Sequence, residues 1–438
     1  MKKEVKFIDL FAGMGGLRIG FEKAFKSKGF NTKCVMTSEI KKHAIEALEY
    51  NFKHHKFVGD ITKVDEKEIE DFDFLLAGFP CQPFSSAGNR LGFEDTRGTL
   101  FFDVARILRE KRPYGFLLEN VEGLVTHDKG RTLDVIINVL KDLDYNVNWK
   151  LLDSKEFGVP QSRSRVYIVG TKNEKVNLDG FEKKNTVLSS ILENGLETVD
   201  SHFTRCLFRH YRPEEIYGKA IKDKRGGKDN IHSWDIGLKG EISDSQKTIL
   251  EQLFKERRKK KWAEEIGIKW MDGMPLTLEQ ISTFNKSENL KMLLDDLVEK
   301  GYLKLEHPRD EKIIEKEDGK SVKKRVPDES KEKGYNIVAG KLSFEFTKIL
   351  DPNGITPTLV AMDVSKLGVV DNGGLRKLSL REGLRLCGYP DDYSLDCLQK
   401  MSDGFDLLGN TVVINVVEEV AKRIAETYEN NFLDNLNR

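Results

Sequence analysis

The chain has 438 residues, 39% of them hydrophobic and 33% charged, so it is long enough for two or three domains and apolar enough to bury a core in each. Lys+Arg and Asp+Glu balance at 72 each, which excludes a globally basic nucleic-acid binder and confines any such site to a local patch. The N-terminal MKKEVKFIDLF lacks a long apolar segment, and no run reaches the ~18 apolar residues of a membrane span. The five cysteines form no CxxC and no His/Cys cluster, which argues against a disulfide framework or structural zinc and for a reducing cytoplasm.

VKFIDLF (5–11) predicts a strand, AGMGG a glycine loop, and Leu17 to about Lys28 a helix. TKCVMTSEI (32–40) predicts a second strand with a helix over 41–51 behind it. KFVGD (56–60) and FDFLLAGF (72–79) predict a third and a fourth strand. A helix near 99–111 leads to the strand GFLLENV (115–121), and a helix near 131–142 precedes the strand-like NWKLLDS and RVYIVG (165–170). This alternation predicts an α/β domain with a doubly wound, mostly parallel sheet.

After residue 180 the chain changes character, and charge becomes dense, as in KERRKKK at 255–261. That run is either a phosphate-binding patch or a solvated helix face. Residues 243–305 read as three helices ending in a strand pair, either a winged-helix-like unit or a plain helical insert. The polar stretch 306–334 has no apolar period and reads as an exposed loop or insert. LSLREGLRLCGYP then predicts a helix ended by Gly388 and Pro390, and NTVVINVVEEVAKRIAETY a long amphipathic helix packing back on the first domain. The expected partition is 1–180, a separate smaller domain over 181–370, and a return to the first domain over 371–438.

The glycine loop FAGMGG can bring backbone N–H groups close to a ligand, or it can be an ordinary tight turn. Glu39 ends the second strand, where a carboxylate can accept ribose hydroxyls, and Asp60 ends the third, where it can take an adenine amino group. Either acid can instead cap a helix. Cys81 sits between Pro80 and Pro83 in GFPCQPFS. It is either buried filler or a nucleophile on a stiff loop, and a nucleophile requires nearby donors or positive charge to favour the thiolate. Arg163 and Arg165 alternate in QSRSR, so both face one side, as such donors or as a solvated edge. Glu119 ends an apolar strand, where a raised pKa suits a proton donor, or where it caps a helix.

Taken together, Phe11-Ala12-Gly13-Met14-Gly15-Gly16, Glu39, Asp60-Ile61, Gly78-Phe79-Pro80-Cys81-Gln82, Glu119-Asn120-Val121, Gln161-Ser162-Arg163-Ser164-Arg165 and Gly409-Asn410-Thr411-Val412 resemble the ordered motifs of the cytosine-5 DNA methyltransferases of bacterial restriction-modification type. The resemblance covers about residues 5–170 and 376–420, and RGTLFFDVARI (97–107) is also similar to bacterial members. It implies an S-adenosyl-L-methionine-dependent methyltransferase fold, with 181–370 as a target-recognition domain. It also implies methyl transfer to C5 of a flipped cytosine in a specific double-stranded DNA sequence, through a Cys81–C6 adduct.

In that scheme Glu119 bonds the N3/N4 edge and donates at N3, Arg165 holds O2, and Arg163 supports the thiolate and its loop. Phe11, Gly13, Met14, Gly16, Glu39, Ile40, Asp60, Ile61, Pro80, Leu100, Asn410 and Val412 would line the cofactor pocket, with no metal. Gln82, Ser85 and Thr358 would contact DNA, and the loop from about 82 to 99 would close over the base. Ile40 departs from the aromatic that many members carry, and Thr411 from their more frequent Ser or Ala. Ala87 leaves open which residue fills the emptied DNA stack. The resemblance further implies a monomer with no membrane partner, beside which a cognate restriction endonuclease can act on the same site. Two alternatives stand next to it. A tRNA cytosine-5 methyltransferase of the same fold would carry a Cys-Phe-Thr motif, which this chain lacks. A catalytically silent DNA-binding subunit would have no use for an intact Cys81, Glu119 and Arg165.

Overall fold

The computed structural model describes residues 4–52, 56–80, 100–223, 227, 229–315, 321–338 and 344–436. The chain forms two compact units, Met1–Glu193 with Asp351–Ser365 and Leu378–Arg438, and Asn194–Leu350 with Lys366–Lys377. Residues 351–365 thus belong to the first unit, inside the span that the sequence assigns to a second domain.

The first unit begins with β1 (Glu4–Leu10), α1 (Gly16–Ser27), β2 (Asn31–Ser38), α2 (Lys42–Asn51), β3 (Phe57–Val58) and β4 (Phe74–Gly78). It continues through α3 (Leu100–Lys111), β5 (Gly115–Val121), α4 (Arg131–Asp142), β6 (Asn146–Asp153) and β7 (Ser164–Thr171). The strands form one seven-stranded sheet in the order β3-β2-β1-β4-β5-β7-β6. Strands β1 to β5 pair in parallel, and β7 runs antiparallel to both β5 and β6. Successive side chains on a strand point to opposite faces, so a strand covered on both sides must be apolar throughout. Phe7, Phe74 and Leu76 accordingly join one core, and Ile8, Leu10, Leu75 and Ala77 the other. The third strand is shorter than the expected 56–60, because the chain turns at Gly59 into a 3-10 turn capped by Asp60.

The second unit contains α5 (His202–His210), β8 (Ala220–Ile221), β9 (Asn230–Ile231) and four helices, α6 (Asp244–Glu256), α7 (Lys261–Ile266), α8 (Leu278–Ser282) and α9 (Leu290–Glu299). Four helices therefore replace the expected three over 243–305. Gly267, at φ +68°, ends α7 in the left-handed conformation that a glycine adopts without a Cβ penalty. Next come β10 (Leu303–Glu306), β11 (Arg309–Glu315), β12 (Ser321–Pro327), β13 (Gly334–Ile337), β14 (Lys348–Ile349), β15 (Leu367–Asp371) and β16 (Gly374–Lys377). A five-stranded sheet has the order β16-β15-β14-β8-β9, while β10 pairs with β13 and β11 with β12.

Within 306–334, read as an exposed loop or insert, the chain forms the β11–β12 hairpin. Its ladder of main-chain bonds holds a ribbon with Ile313 and Val322 left exposed, so no apolar face is needed to form it, and no hydrophobic period marks it. The basic run 255–261 has largely local partners. The buried Arg257 donates to Asn336 Oδ1 at 2.8 Å, Lys259 bonds Glu256, and Lys260 and Lys261 lie over the Trp270 and Trp262 rings.

The chain then re-enters the first unit through α10 (Leu380–Leu386), α11 (Met401–Asn410) and α12 (Ile414–Leu436). Ser379 and Glu382 form the capping box of α10, and Gly388, at φ +73°, follows its end. The sequence reading contains no separate helix over 401–410. Helix α12 buries Val416, Val417, Val420, Ala421, Ile424 and Ala425 in the same core as α1. The approach is close, since a Cβ on Gly20 would lie 2.6 Å from Val417 Cγ1. Among the described residues, no helix is long and apolar enough to cross a membrane.

Candidate active site

The strand order turns outward on both sides of β1, with β2 to one side and β4 to the other. In an open α/β sheet, the crevice beyond the carboxyl ends of strands at such a reversal is where ligands bind. The glycine loop follows β1 there and is held in a conformation that L-residues rarely adopt: φ is +54° at Phe11, +57° at Gly13 and +80° at Gly15. The Gly13 N–H donates to Glu39 Oε2 at 2.7 Å, and Glu39 Oε1 accepts from the N–H groups of Ile40 at 2.8 Å and Lys41 at 2.9 Å. Glu39 therefore pins the glycine loop and the start of α2 with one carboxylate. An ionised carboxylate offers about four lone-pair sites, so acceptor capacity remains on Oε2.

Around this edge the expected pocket residues divide into two groups. Ile40 is 74% exposed, Phe11, Asp60 and Leu100 are half-buried, and Pro80 and Asn410 are exposed. Among the described residues, a Cβ on Gly13 would meet nothing within 4 Å. The side chains of Met14, Ile61 and Val412 are buried. At those positions a ligand would meet the main chain or a wall supported from behind. Gly16 is a packing residue, since a Cβ there would lie 2.7 Å from Val412 Cγ2 and 2.9 Å from Tyr389 Oη. Asp60 caps the 3-10 turn after β3, accepting from Thr62 N at 3.1 Å and Thr62 Oγ1 at 2.7 Å. These hydrogen bonds hold its carboxyl below the usual range. Capping is thus realised at Asp60, while its side chain remains accessible.

Glu119 lies near the carboxyl end of β5, buried, with Oε1 3.2 Å from Arg165 Nε. Because β7 is antiparallel, its first residues return to this same edge, and Arg165 pairs with Val121 across the ladder. Burial raises the Glu119 pKa against the opposing fields of Arg165 and Arg163. A Cβ on Gly78 would lie 3.6 Å from Glu119 Oε2, 3.8 Å from Leu17 Cδ1 and 3.9 Å from the Phe11 carbonyl, so the carboxyl and the glycine loop both come close to Gly78.

Arg163 is buried and makes different contacts. Its guanidinium donates to the carbonyls of Leu359 at 2.9 Å and Gly409 at 3.0 Å, which stitches two distant returning segments to the start of β7. In the described residues it is therefore a main-chain brace. Thr358 donates to the Ser162 carbonyl at 2.7 Å, and Gln161 bridges Leu386 O at 2.9 Å to Leu359 N at 3.2 Å. This brings Thr358 beside the segment 161–165. Cys81, Gln82, Ser85, Ala87 and the expected closing loop 82–99 lie outside the described residues.

The structure adds three positions that sequence reasoning passes over. Asn120 donates to the Phe79 carbonyl at 2.9 Å and accepts from Val121 N at 2.8 Å, which ties β5 to the residues just before Cys81. Tyr393 donates to the Met14 carbonyl at 2.8 Å. Asp406 gathers Lys41, His43 and Asn410. Asn120 stands within a quoted motif, whereas no local pattern marks Tyr393 or Asp406.

The family model for C-5 cytosine-specific DNA methylases matches residues 5–426. The chain is 57% identical over 432 residues to Type II methyltransferase M.NlaIV of Neisseria lactamica, covering 97% of this chain and 100% of that one. It is 55% identical over 432 residues to Type II methyltransferase M.NgoBV of Neisseria gonorrhoeae, covering 97% and 100%. It is 42% identical over 452 residues to Type II methyltransferase M.BanI of Aneurinibacillus aneurinilyticus, covering 98% and 96%. Among solved structures, the Entamoeba histolytica methyltransferase EhMeth shares the fold, with a TM-score of 0.52 at 15% identity over 98% of this chain and 99% of that one. The chain accordingly belongs to the C-5 cytosine-specific DNA methylase family, and it is a DNA (cytosine-5-)-methyltransferase that uses S-adenosyl-L-methionine as methyl donor.

Proposed function

We propose that Cys81, Glu119 and Arg165 carry the reaction and that the edge lined by Phe11, Gly13, Glu39, Ile40, Asp60, Pro80, Leu100 and Asn410 holds the cofactor. The observation that supports this most directly is the buried Glu119–Arg165 pair at the carboxyl end of β5, close to Gly78 and the glycine loop. The residues fit a nucleoside-bearing cofactor. Gly13 has no described atom within 4 Å of a Cβ position, Ile40 offers an exposed apolar surface for a base, and Glu39 keeps acceptor capacity for a hydroxyl. When bound, S-adenosylmethionine supplies an electrophilic methyl group.

Cytosine C5 is too weak a nucleophile on its own, so the chain must make it one. The Cys81 thiolate adds to C6 as the Glu119 proton passes to N3, and C5 gains the electron density that takes up the methyl group. Burial suits Glu119 to this role, because it strengthens the carboxyl's hold on a proton against the fields of Arg165 and Arg163. Arg165 orients Glu119 and binds O2, and Arg163 braces the strand that carries Arg165. A base then removes the C5 proton, Cys81 departs as thiolate with the electrons of its bond to C6, and the N3 proton returns to Glu119. The base must leave the duplex for any of this, at a cost of a few kcal/mol that DNA contacts offset. We assign those contacts to Gln82, Ser85 and Thr358 and to the unit built around 194–350, the target-recognition domain in this reading. A companion restriction endonuclease of the same specificity, a monomeric state and a cytoplasmic location belong to the same proposal.

Purified protein incubated with labelled S-adenosylmethionine and mixed-sequence DNA should transfer label to DNA. Bisulfite sequencing should then find 5-methylcytosine in one sequence context, and Cys81→Ala should transfer none. Equal transfer by Cys81→Ala would overturn the covalent route, and label that goes to tRNA but not DNA would move the substrate.

A further inference from the structure

We propose that Asp406 is a positioning residue of the cofactor pocket, clasping the loop that carries Glu39 to the helix end that carries Asn410. This rests on the assignment of Glu39 and Asn410 to that pocket.

Asp406 sits one turn before Asn410, the last residue of α11. A carboxylate toward the C-terminal end of a helix runs against the macrodipole unless positive charge meets it. Lys41 is such a cation and the His43 ring joins it, both from the start of α2. Lys41 Nζ lies 2.6 Å and His43 Nε2 2.7 Å from Asp406 Oδ2. The other oxygen accepts from Asn410 Nδ2 at 3.1 Å, and the same amide nitrogen donates to the Asp406 carbonyl at 2.8 Å. Asn410 Nδ2 is thereby engaged, which leaves its Oδ1 as the polar atom it can offer a ligand. On the other side, the Lys41 main-chain N–H donates to Glu39 Oε1, and Glu39 Oε2 accepts from Gly13.

A continuous path of hydrogen bonds therefore runs from the glycine loop through Glu39 and Lys41 to Asp406 and Asn410. It links pocket walls that stand at opposite ends of the chain, Lys41 and Asp406 being 365 positions apart. Partial burial pushes the Asp406 carboxyl up, but bonds from Lys41 and His43 outweigh it and hold the group ionised below the usual range. The side chains of Lys41, His43 and Asp406 are 40%, 23% and 33% exposed. Their contribution to global stability is accordingly small, while their effect on where the two walls stand is direct.

The test is calorimetric binding of S-adenosylhomocysteine to the full-length protein, alongside steady-state kinetics. Asp406→Asn and Asp406→Ala should each raise the Kd by about 3- to 10-fold, the range of coupling expected between residues in one hydrogen-bonded network. The KM for S-adenosylmethionine should rise in step with kcat retained, and Asp406→Glu should recover part of the loss. If either single variant fails to fold, the charge-exchanged pair Lys41→Asp with Asp406→Lys serves instead, and it should bind more tightly than Lys41→Asp alone. Glu39→Ala is the control. If it weakens binding while both Asp406 variants stay within twofold of wild type, the clasp is refuted and the pocket stands. If Glu39→Ala leaves the Kd unchanged, the pocket assignment is wrong and the clasp falls with it.

Discussion

Asp9 offers a quantitative test of the electrostatics beneath the glycine loop. It lies on β1, paired with Thr37 on one side and Leu76 on the other, so the main chain holds it in the middle of the sheet. Its side chain is fully buried, and among the described residues neither carboxyl oxygen has a hydrogen-bond partner. Burial pushes its pKa up to about 8, with Glu22 and Glu39 adding to the shift and Arg18 opposing it. The folded state thus holds this proton more tightly than the unfolded chain does. The stabilisation it gives is complete below the unfolded value of 3.8 and is lost as pH rises to about 8.

Each pH unit in that window removes about 1.4 kcal/mol, and the whole interval amounts to about 6 kcal/mol. Asp9→Asn cannot titrate. Its buried amide costs about 1–3 kcal/mol at every pH, so only the pH-dependent part isolates the carboxyl. Guanidinium unfolding of both proteins at half-unit steps from pH 5 to 9 supplies the comparison. The stability of the Asn variant relative to wild type should climb with pH by about 1.4 kcal/mol per unit and level off above pH 8. Parallel curves, with a constant offset, would show that Asp9 is not buried as a neutral acid, and the reasoning would fail.

Three further outcomes follow from the same geometry. Glu119→Gln keeps the shape of the side chain but has no acid proton to give, so kcat should fall by about 10²–10⁴ in single-turnover assays, and a loss under threefold would remove Glu119 from proton transfer. Gly16→Ala places a methyl group 2.7 Å from Val412 Cγ2. It should destabilise the protein by about 1–3 kcal/mol through overpacking, read as a lower midpoint in urea. Arg163→Met leaves the carbonyls of Leu359 and Gly409 without their donor. It should cost about 1–3 kcal/mol per buried carbonyl in thermal unfolding, whereas a catalytic role alone would leave the melting temperature unchanged.

The order of the first seven strands, the glycine loop and the acids at strand ends are legible in the sequence, because apolar runs and their breakers are local signals. Strands β1, β4 and β5 are apolar on both faces, since each must satisfy two cores at once. The exposed β11–β12 hairpin leaves no such trace, because its pairing rests on main-chain bonds between segments with little apolar content.

What the sequence by itself determined is therefore which residue types stand at which strand ends: Glu39, Asp60, Glu119 and the two arginines of QSRSR. The tertiary structure alone decided how they meet. The antiparallel entry of β7 turns Arg165 toward Glu119, and the return of 351–365 and 378–438 gives Arg163 its carbonyl partners. Such contacts join positions far apart in the chain, and loop closure and register, which no local pattern encodes, set them.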